Sequence, residues 1–313
     1  MTNDGKRPLK VGFGLPDSAD GATGVTASWR EIADVALRAE AVGFDSVWVQ
    51  DHLLFRLPER EQEGVWESFS MLSALAAVTS RVEVGTLVTC TSFRNPALTA
   101  KMADTIDEIS GGRVILGLGA GWHEPEYRAF GYPFDHRVSR FEEALQIIHG
   151  LLHNGEIDFN GTYYQAHDCA ILPRGPRRDG LPIMMGTTGE RMLDLTARYA
   201  DIWNVYFTRT NNSPEGMRPL MERVDAACEA VGRDPATLAR SATIYVDFTG
   251  AAGGASSVNP SGATPLSGEP EQIADVLRRY ADLGVSHVQV YTEPLNLEGV
   301  EHFAPVLEAL DRG

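Results

Sequence analysis

His123, Glu124, Glu126 and Tyr127 crowd together just after glycines at 117, 119 and 121. The whole stretch, VILGLGAGWHEPEYRAFGY at 114–132, starts as an apolar run and ends in side chains that donate, accept or move protons. Closely spaced glycines at the end of a buried strand let a ligand approach the backbone. His123 and Tyr127 are four apart and share a face if a helix opens at Trp122. Near a helix start both can donate to a phosphate, aided by backbone N–H groups. A zinc-protease reading of His123–Glu124 fails, because Tyr127 stands where the second His belongs, so no metal is expected. The glycine spacing also misses the dinucleotide fingerprint, which needs a third Gly further on.

Three other clusters carry chemistry. In VWVQDHLLF (47–55), Asp51 and His52 follow an apolar run; the His can serve as a general base, or the pair can be a capping Asp with a solvated His. In VGTLVTCTSFRNPALTAK (84–101), Cys90 has the look of a nucleophile, but nothing in its neighbours lowers a thiol pKa, and a packed thiol is the reading adopted. In IMMGTTGERMLDLTARYADIWN (183–204), Gly186, Thr187, Thr188 and Gly189 precede a helical pattern. Such a turn offers N–H groups and hydroxyls to a phosphate, with Arg191 as added charge; an ordinary Thr N-cap is the alternative. The chain has no G-x-S-x-G, P-loop, EF-hand or Cys-x-x-Cys motif.

These clusters need elements to hold them. Short apolar runs at 10–16, 46–51, 82–89, 114–119, 183–186, 201–206, 243–247 and 287–291 predict strands buried on both faces, as in a parallel sheet. Amphipathic patterns at 28–42, 69–79, 97–109, 139–152, 190–199, 219–231, 271–283 and 299–310 predict helices between them. Eight strand–helix pairs suggest an α/β fold, a (β/α)₈ TIM-like barrel forming one domain over 1–313, with a doubly wound open sheet as the alternative. Insertions are expected after strands 2, 4 and 7: a charged segment at 56–67, a hairpin and loop at 154–179, and a flexible Gly/Ser-rich loop at 250–268. In a barrel, all four clusters fall at the C-terminal mouth, where active sites form.

Composition narrows the partners. A net charge of −16 argues against nucleic acid and anionic membrane surfaces. With 43% hydrophobic residues a full core is affordable. Cys90, Cys169 and Cys228 are too scattered for a disulfide framework. The N-terminal stretch has no apolar signal core, and no run reaches transmembrane length, so a cytoplasmic location is the expectation.

Taken together, AEAVGFDSVWVQDHL, TSFRNPALTAKMADTIDEISGGRVILGLGAGWHEPEYRAFGYPF, RVSRFEEALQIIHGLL and IMMGTTGERMLDLTARYADIWN resemble the bacterial luciferase-like monooxygenase superfamily, in particular its branch using coenzyme F420, a 5-deazaflavin. The likeness covers about residues 9 to 248 and resumes at GEPEQIADVLRRYADLGVSHVQVY, with GWHEPEYRAFG and RYADIWN the most specific phrases. It implies a TIM-like barrel with a flavin or deazaflavin at the C-terminal mouth. It implies a non-prolyl cis peptide near Leu87–Val88, with the ring against Leu87, Val88 and Thr89 and with Asp51 and Cys90 close by. Gly119 and Ala120 would admit the cofactor. His123 and Tyr127, with Gly186, Thr187, Thr188 and Gly189, would hold its phosphate. His52 matches a catalytic histidine in a sugar-phosphate dehydrogenase of the family. The tryptophan that follows there is replaced here by Leu53, Leu54, Phe55 and Arg56, and an acidic residue by Trp122, which argues against sugar phosphates. A pocket of Leu54, Phe55, Trp66 and Tyr206 is expected for an uncharged organic substrate.

The expected activity is an F420-dependent oxidoreductase moving a hydride between the deazaflavin and a small-molecule substrate, with His52 as the catalytic proton donor or acceptor. An FMN-dependent monooxygenase using O₂ and a separate flavin reductase is the first alternative. A non-catalytic flavin-binding protein on the same barrel is the second. The longer anionic tail of the deazaflavin would favour basic residues at the rim, for which Arg94, Lys101, Arg191 and Arg209 are candidates. A homodimer is expected from family habit.

Overall fold

Eight runs with no polar face become eight strands: β1 Lys10–Gly14, β2 Ser46–Val49, β3 Glu83–Thr86, β4 Val114–Gly119, β5 Ile183–Gly186, β6 Ile202–Val205, β7 Ala239–Asp247 and β8 Val285–Glu293. The computed structural model describes residues 7–20, 23–57, 62–250 and 263–312. Every neighbouring pair is parallel, and β8 returns to β1 with Lys10 opposite His287, so the sheet closes into a barrel. Closure excludes the doubly wound alternative and leaves no open edge among these strands.

Helices separate the strands, and their ends follow capping chemistry. Helix α1 (Trp29–Val42) opens on a Ser28–Glu31 capping box and stops at Gly43 in the left-handed region. Helix α2 (Ser68–Val78) is capped by the Glu67 carboxylate; α3 (Pro96–Ser110) has Asn95 as cap and Pro96 in its first turn. Next come α4 (Glu124–Phe130), α5 (Arg137–Asn154), α6 (Glu190–Tyr199), α7 (Pro214–Ala230), α8 (Pro270–Asp282) and α9 (Leu297–Asp311). Their apolar faces pack on the outside of the barrel in the main core, where Phe13, Phe44, Phe141 and Phe303 are fully buried. No helix among the described residues is long and apolar enough to cross a membrane.

Two element starts differ most from the sequence reading. Strand β7 starts at Ala239 because Arg240 and Ser241, although polar, are buried and hydrogen-bonded; Arg240 pairs with Asp225. Helix α7 starts at Pro214, capped by Ser213, and keeps Pro219 inside its second turn, where a start was expected. The hairpin expected in 154–179 forms as Glu156–Asn160 against Gln165–Ala170. In the 56–67 insertion, Glu63–Gly64 pairs with Leu54–Phe55, and residues 58–61 lie outside the described ones. Most of the expected flexible loop, 251–262, likewise lies outside the described residues.

Inside the barrel, Trp48, Ile115 and Met184 form an apolar plug. Beside it His287 accepts or donates at Nε2 to Ser46 Oγ at 2.8 Å, and burial drives its pKa down to about 3, so the ring is neutral. The barrel is therefore filled at its base, and space is left only at the C-terminal end of the strands.

Candidate active site

A cavity of about 550 Å³ opens where β2 to β6 and β8 end. Its floor carries Leu87 and Val88, whose shared peptide bond is cis, as the resemblance implied. After that bond the chain re-enters the sheet, with Thr89 opposite Leu118 and Cys90 opposite Gly119. The glycines of β4 exist for this bulge. A Cβ on Gly117 would stand 2.0 Å from the Thr86 carbonyl, and one on Gly121, at φ +71°, would stand 1.9 Å from the Tyr127 hydroxyl. The room read as space for a ligand at Gly117 is taken by the chain itself.

His52 enters the cavity from the end of β2, and its Nδ1 lies 2.9 Å from Glu126 Oε1. The other carboxylate oxygen of Glu126 accepts the Leu53 N–H at 2.8 Å. Glu126 is 1% exposed and sits on the short helix α4, so the loop after β2 and the loop after β4 meet at one carboxylate. An ionised carboxylate only accepts, so Nδ1 of the neutral ring carries the proton and Nε2 is the free acceptor. The imidazole packs 4.3 Å from the Phe55 ring and 5.6 Å, edge to face, from Trp122.

Asp51 borders the cavity, but its oxygens are spent. They accept from Cys90 N at 2.8 Å, Ser68 Oγ at 2.7 Å, and Arg94 Nη1 and Nη2 at 2.7 and 2.9 Å. This residue ties the floor to α2 and α3. Burial pushes the Cys90 thiol up to about 12, so it stays protonated and Cys90 behaves as a packed thiol.

At the opposite wall, Gly186, Thr187, Thr188 and Gly189 lead into α6, whose N-cap Gly189 supplies no side-chain cap. The first-turn N–H groups of that helix thus have no cap from Gly189, and such groups can hold an anion. Trp203 Nε1 donates to the Thr187 carbonyl at 2.8 Å and Arg223 to the Thr188 carbonyl at 2.9 Å, which fixes the turn. Arg209 borders the cavity with no hydrogen-bond or ion-pair partner for its guanidinium among the described residues. The other rim candidates are committed elsewhere: Arg94 to Asp51 and Glu67, Arg191 to Ser139 and Glu142, Lys101 to the Leu172 and Pro173 carbonyls.

Several expected residues are not at the cavity surface. His123 is 4% exposed and its Nε2 accepts the Arg56 N–H at 3.0 Å; burial lowers its pKa, which keeps that nitrogen an acceptor. Tyr127 is fully buried and its hydroxyl donates to the Ala120 carbonyl at 2.9 Å. Both hold the loop after β4 from behind; the short helix at 124–130 puts them inward rather than toward the mouth. Thr89 is buried with its hydroxyl on Thr86, and Leu54 is buried beside the wall. Trp66 is half exposed and donates to the Ala27 carbonyl, away from the cavity. Phe55, Tyr206, Gly119 and Ala120 do border it. The sequence reading assigned nothing to Glu126, to Gln50 beside Asp51, or to Arg137, which donates to the Gly121 carbonyl at 2.6 Å.

Known proteins resemble this chain in sequence and in fold. The chain is 39% identical over 206 residues to pyrimidine monooxygenase RutA of Stutzerimonas stutzeri (strain A1501), an alignment covering 64% of this chain and 56% of that protein. It thus spans little more than half the length of the curated relatives it matches. An F420-dependent secondary alcohol dehydrogenase solved with an F420–acetone adduct superposes with a TM-score of 0.80 at 20% identity, over 96% of this chain and 99% of that one. EDTA monooxygenase (EmoA) of Chelativorans sp. BNC1 superposes at 0.77 and 15% identity, over 98% and 94%. These structures share the fold. The sequence profile described as luciferase-like monooxygenase matches residues 9–252, so the closed barrel and its bulged third strand are those of the luciferase-like monooxygenase family, to which this chain belongs.

Proposed function

We propose that the protein is an F420-dependent oxidoreductase acting on a small, uncharged organic substrate. The supporting observation is the division of one cavity into two ends. One end has an apolar floor at Leu87 and Val88 beside His52; the other has the uncapped start of α6 with Arg209 beside it, its guanidinium unpaired among the described residues. The donor set suits a planar ring at the first end and an anionic tail at the second. When bound, the deazaflavin supplies the hydride donor or acceptor. The chain's own residues orient the reactants and move a proton. His52 Nε2 accepts a proton from, or returns one to, a substrate oxygen, while Glu126 holds the ring and stabilises it when charged. Phe55, Trp122 and Tyr206 offer apolar and aromatic surface to the substrate.

The identity to RutA favours a second reading, an FMN-dependent monooxygenase supplied by a separate reductase. Titrating the cofactor-free protein with F420 and with FMN separates the two. Micromolar or tighter F420 binding with at least tenfold weaker FMN binding is expected; the reverse order overturns the first reading. Tight binding of either cofactor with no turnover over a broad panel of alcohols, ketones and heteroaromatics would make the protein a flavin carrier.

A further inference from the structure

Gln50 borders the cavity two residues before His52, and its side-chain amide has one end tied down. Nε2 donates to Asp17 Oδ1 at 3.1 Å and to Ser18 Oγ at 3.2 Å. The Gln50 backbone N–H donates to the second oxygen, Asp17 Oδ2, at 2.6 Å. Asp17 is fully buried and Ser18 is 5% exposed, so this anchor lies behind the wall, away from solvent. Oε1 of Gln50 takes no hydrogen bond from any described residue. Burial raises the Asp17 pKa to about 7; above that pH the carboxylate accepts and cannot donate, so it dictates that Nε2 faces back and Oε1 inward.

The geometry points to Gln50 as a specificity-determining residue that presents a fixed carbonyl acceptor to the substrate, with Asp17 as the positioning residue that sets its direction. The ligand class selected is an uncharged molecule carrying an N–H or O–H donor. This rests on reading the cavity as the substrate site of a flavin-type oxidoreductase. The β1–β2 side of the mouth lies across the barrel from β5, where α6 starts, so a cofactor whose tail is held there leaves this wall to the substrate. A site built to bond a donor rejects the analogue lacking it, because its acceptor is then left unpaired. The closed end of the amide gives the selection its sign: with Oε1 inward, donors are favoured and acceptors repelled.

Phenol and anisole, which differ by one donor, are the probes. At pH 8.5, where Asp17 is ionised, each is titrated calorimetrically into the holoenzyme and into the cofactor-free chain, for the native protein, Gln50→Met and Asp17→Asn. Phenol is expected to bind the native protein at least tenfold more tightly than anisole, and the ratio should fall below threefold in Gln50→Met. In Asp17→Asn the new amide can satisfy Oε1 and turn Nε2 inward, so the ratio should drop toward or below one. Each ratio is internal to one protein sample, so partial loss of folded material cancels. An unchanged ratio in Gln50→Met overturns the proposal. A tenfold loss of cofactor affinity in Gln50→Met, with the ratio intact, assigns Gln50 to the cofactor and also overturns it. Failure of the native chain to bind either F420 or FMN overturns the cofactor reading alone, since the ratio is still read on the cofactor-free chain.

Discussion

Nδ1 of His52 and Oε1 of Glu126 meet at 2.9 Å across 74 residues of sequence, and they join two loops of the barrel mouth at a buried carboxylate. Among the described residues the carboxylate has no other acceptor duty than the Leu53 N–H, so it works as a clamp on one ring. Fixing the far nitrogen of an imidazole is how a protein chooses which nitrogen works.

Replacing Glu126 by Gln should therefore lower kcat about 10- to 100-fold with KM changed less than about threefold, within the usual size of general acid–base effects. Adding Glu126→Gln to His52→Ala should cost nothing further, since both act at one atom. Steady-state kinetics on the two single variants and the double variant check this. Additive losses in the double variant would separate the two residues.

Asp51 carries a different load. Removing it as Asp51→Ala takes from the Arg94 guanidinium, whose side chain is 11% exposed, its buried carboxylate partner and leaves it the more exposed Glu67. A loss of about 3–5 kcal/mol is expected. Urea unfolding with an unchanged m-value is the measurement. Asp51→Asn, whose single amide oxygen can still accept the Cys90 N–H while its NH2 group donates to Ser68 Oγ, should lose less.

Gly117→Ala should be far more costly than Gly189→Ala. The first places a methyl group 2.0 Å from a backbone carbonyl and forces β3 and β4 apart, for about 2–4 kcal/mol. The second finds no heavy atom within 4 Å at φ −80° and should cost at most about 1 kcal/mol. Thermal melts of the two variants side by side read the difference.

Burial raises the Asp17 pKa to about 7 from a usual 3.8. In the unfolded chain the carboxyl ionises first as pH rises, so its stabilising contribution is complete below pH 4 and is lost by about pH 7. The native protein should thus lose stability between pH 4 and 7 relative to Asp17→Asn, by on the order of 1.4 kcal/mol per unit of pKa difference at most. Denaturant titrations at pH 4.5, 6 and 7.5 test the sign.

The barrel was legible because eight runs without a polar face alternate with amphipathic patterns, and that pattern has few solutions. Strands β4 and β5 match the expected 114–119 and 183–186 to the residue. The strand β7 boundary was hidden by Arg240, whose burial depends on Asp225 fifteen residues earlier. In the site, His52 and the turn at 186–189 could be read locally, since each follows a strand into the mouth. Glu126 could not, because its partner is 74 residues away and its role exists only once two loops meet. His123 and Tyr127 were assigned to the phosphate on helical spacing and on the family resemblance. Spacing gives a shared face; it does not say whether that face looks inward or outward, and here α4 turns both behind the wall.

The glycines at 117, 119 and 121 have a consequence for reading related sequences. Gly117 and Gly119 yield to Thr86 and Val88, and Gly121 yields to Tyr127 and Cys90; none of these neighbours is a ligand. The triplet is thus a watermark of the scaffold. A sequence search keyed on it would gather barrels that carry this kink in the third strand, whatever prosthetic molecule each has come to use. Divergence in chemistry should then be sought on the other side of the mouth, at cavity-lining positions such as Gln50.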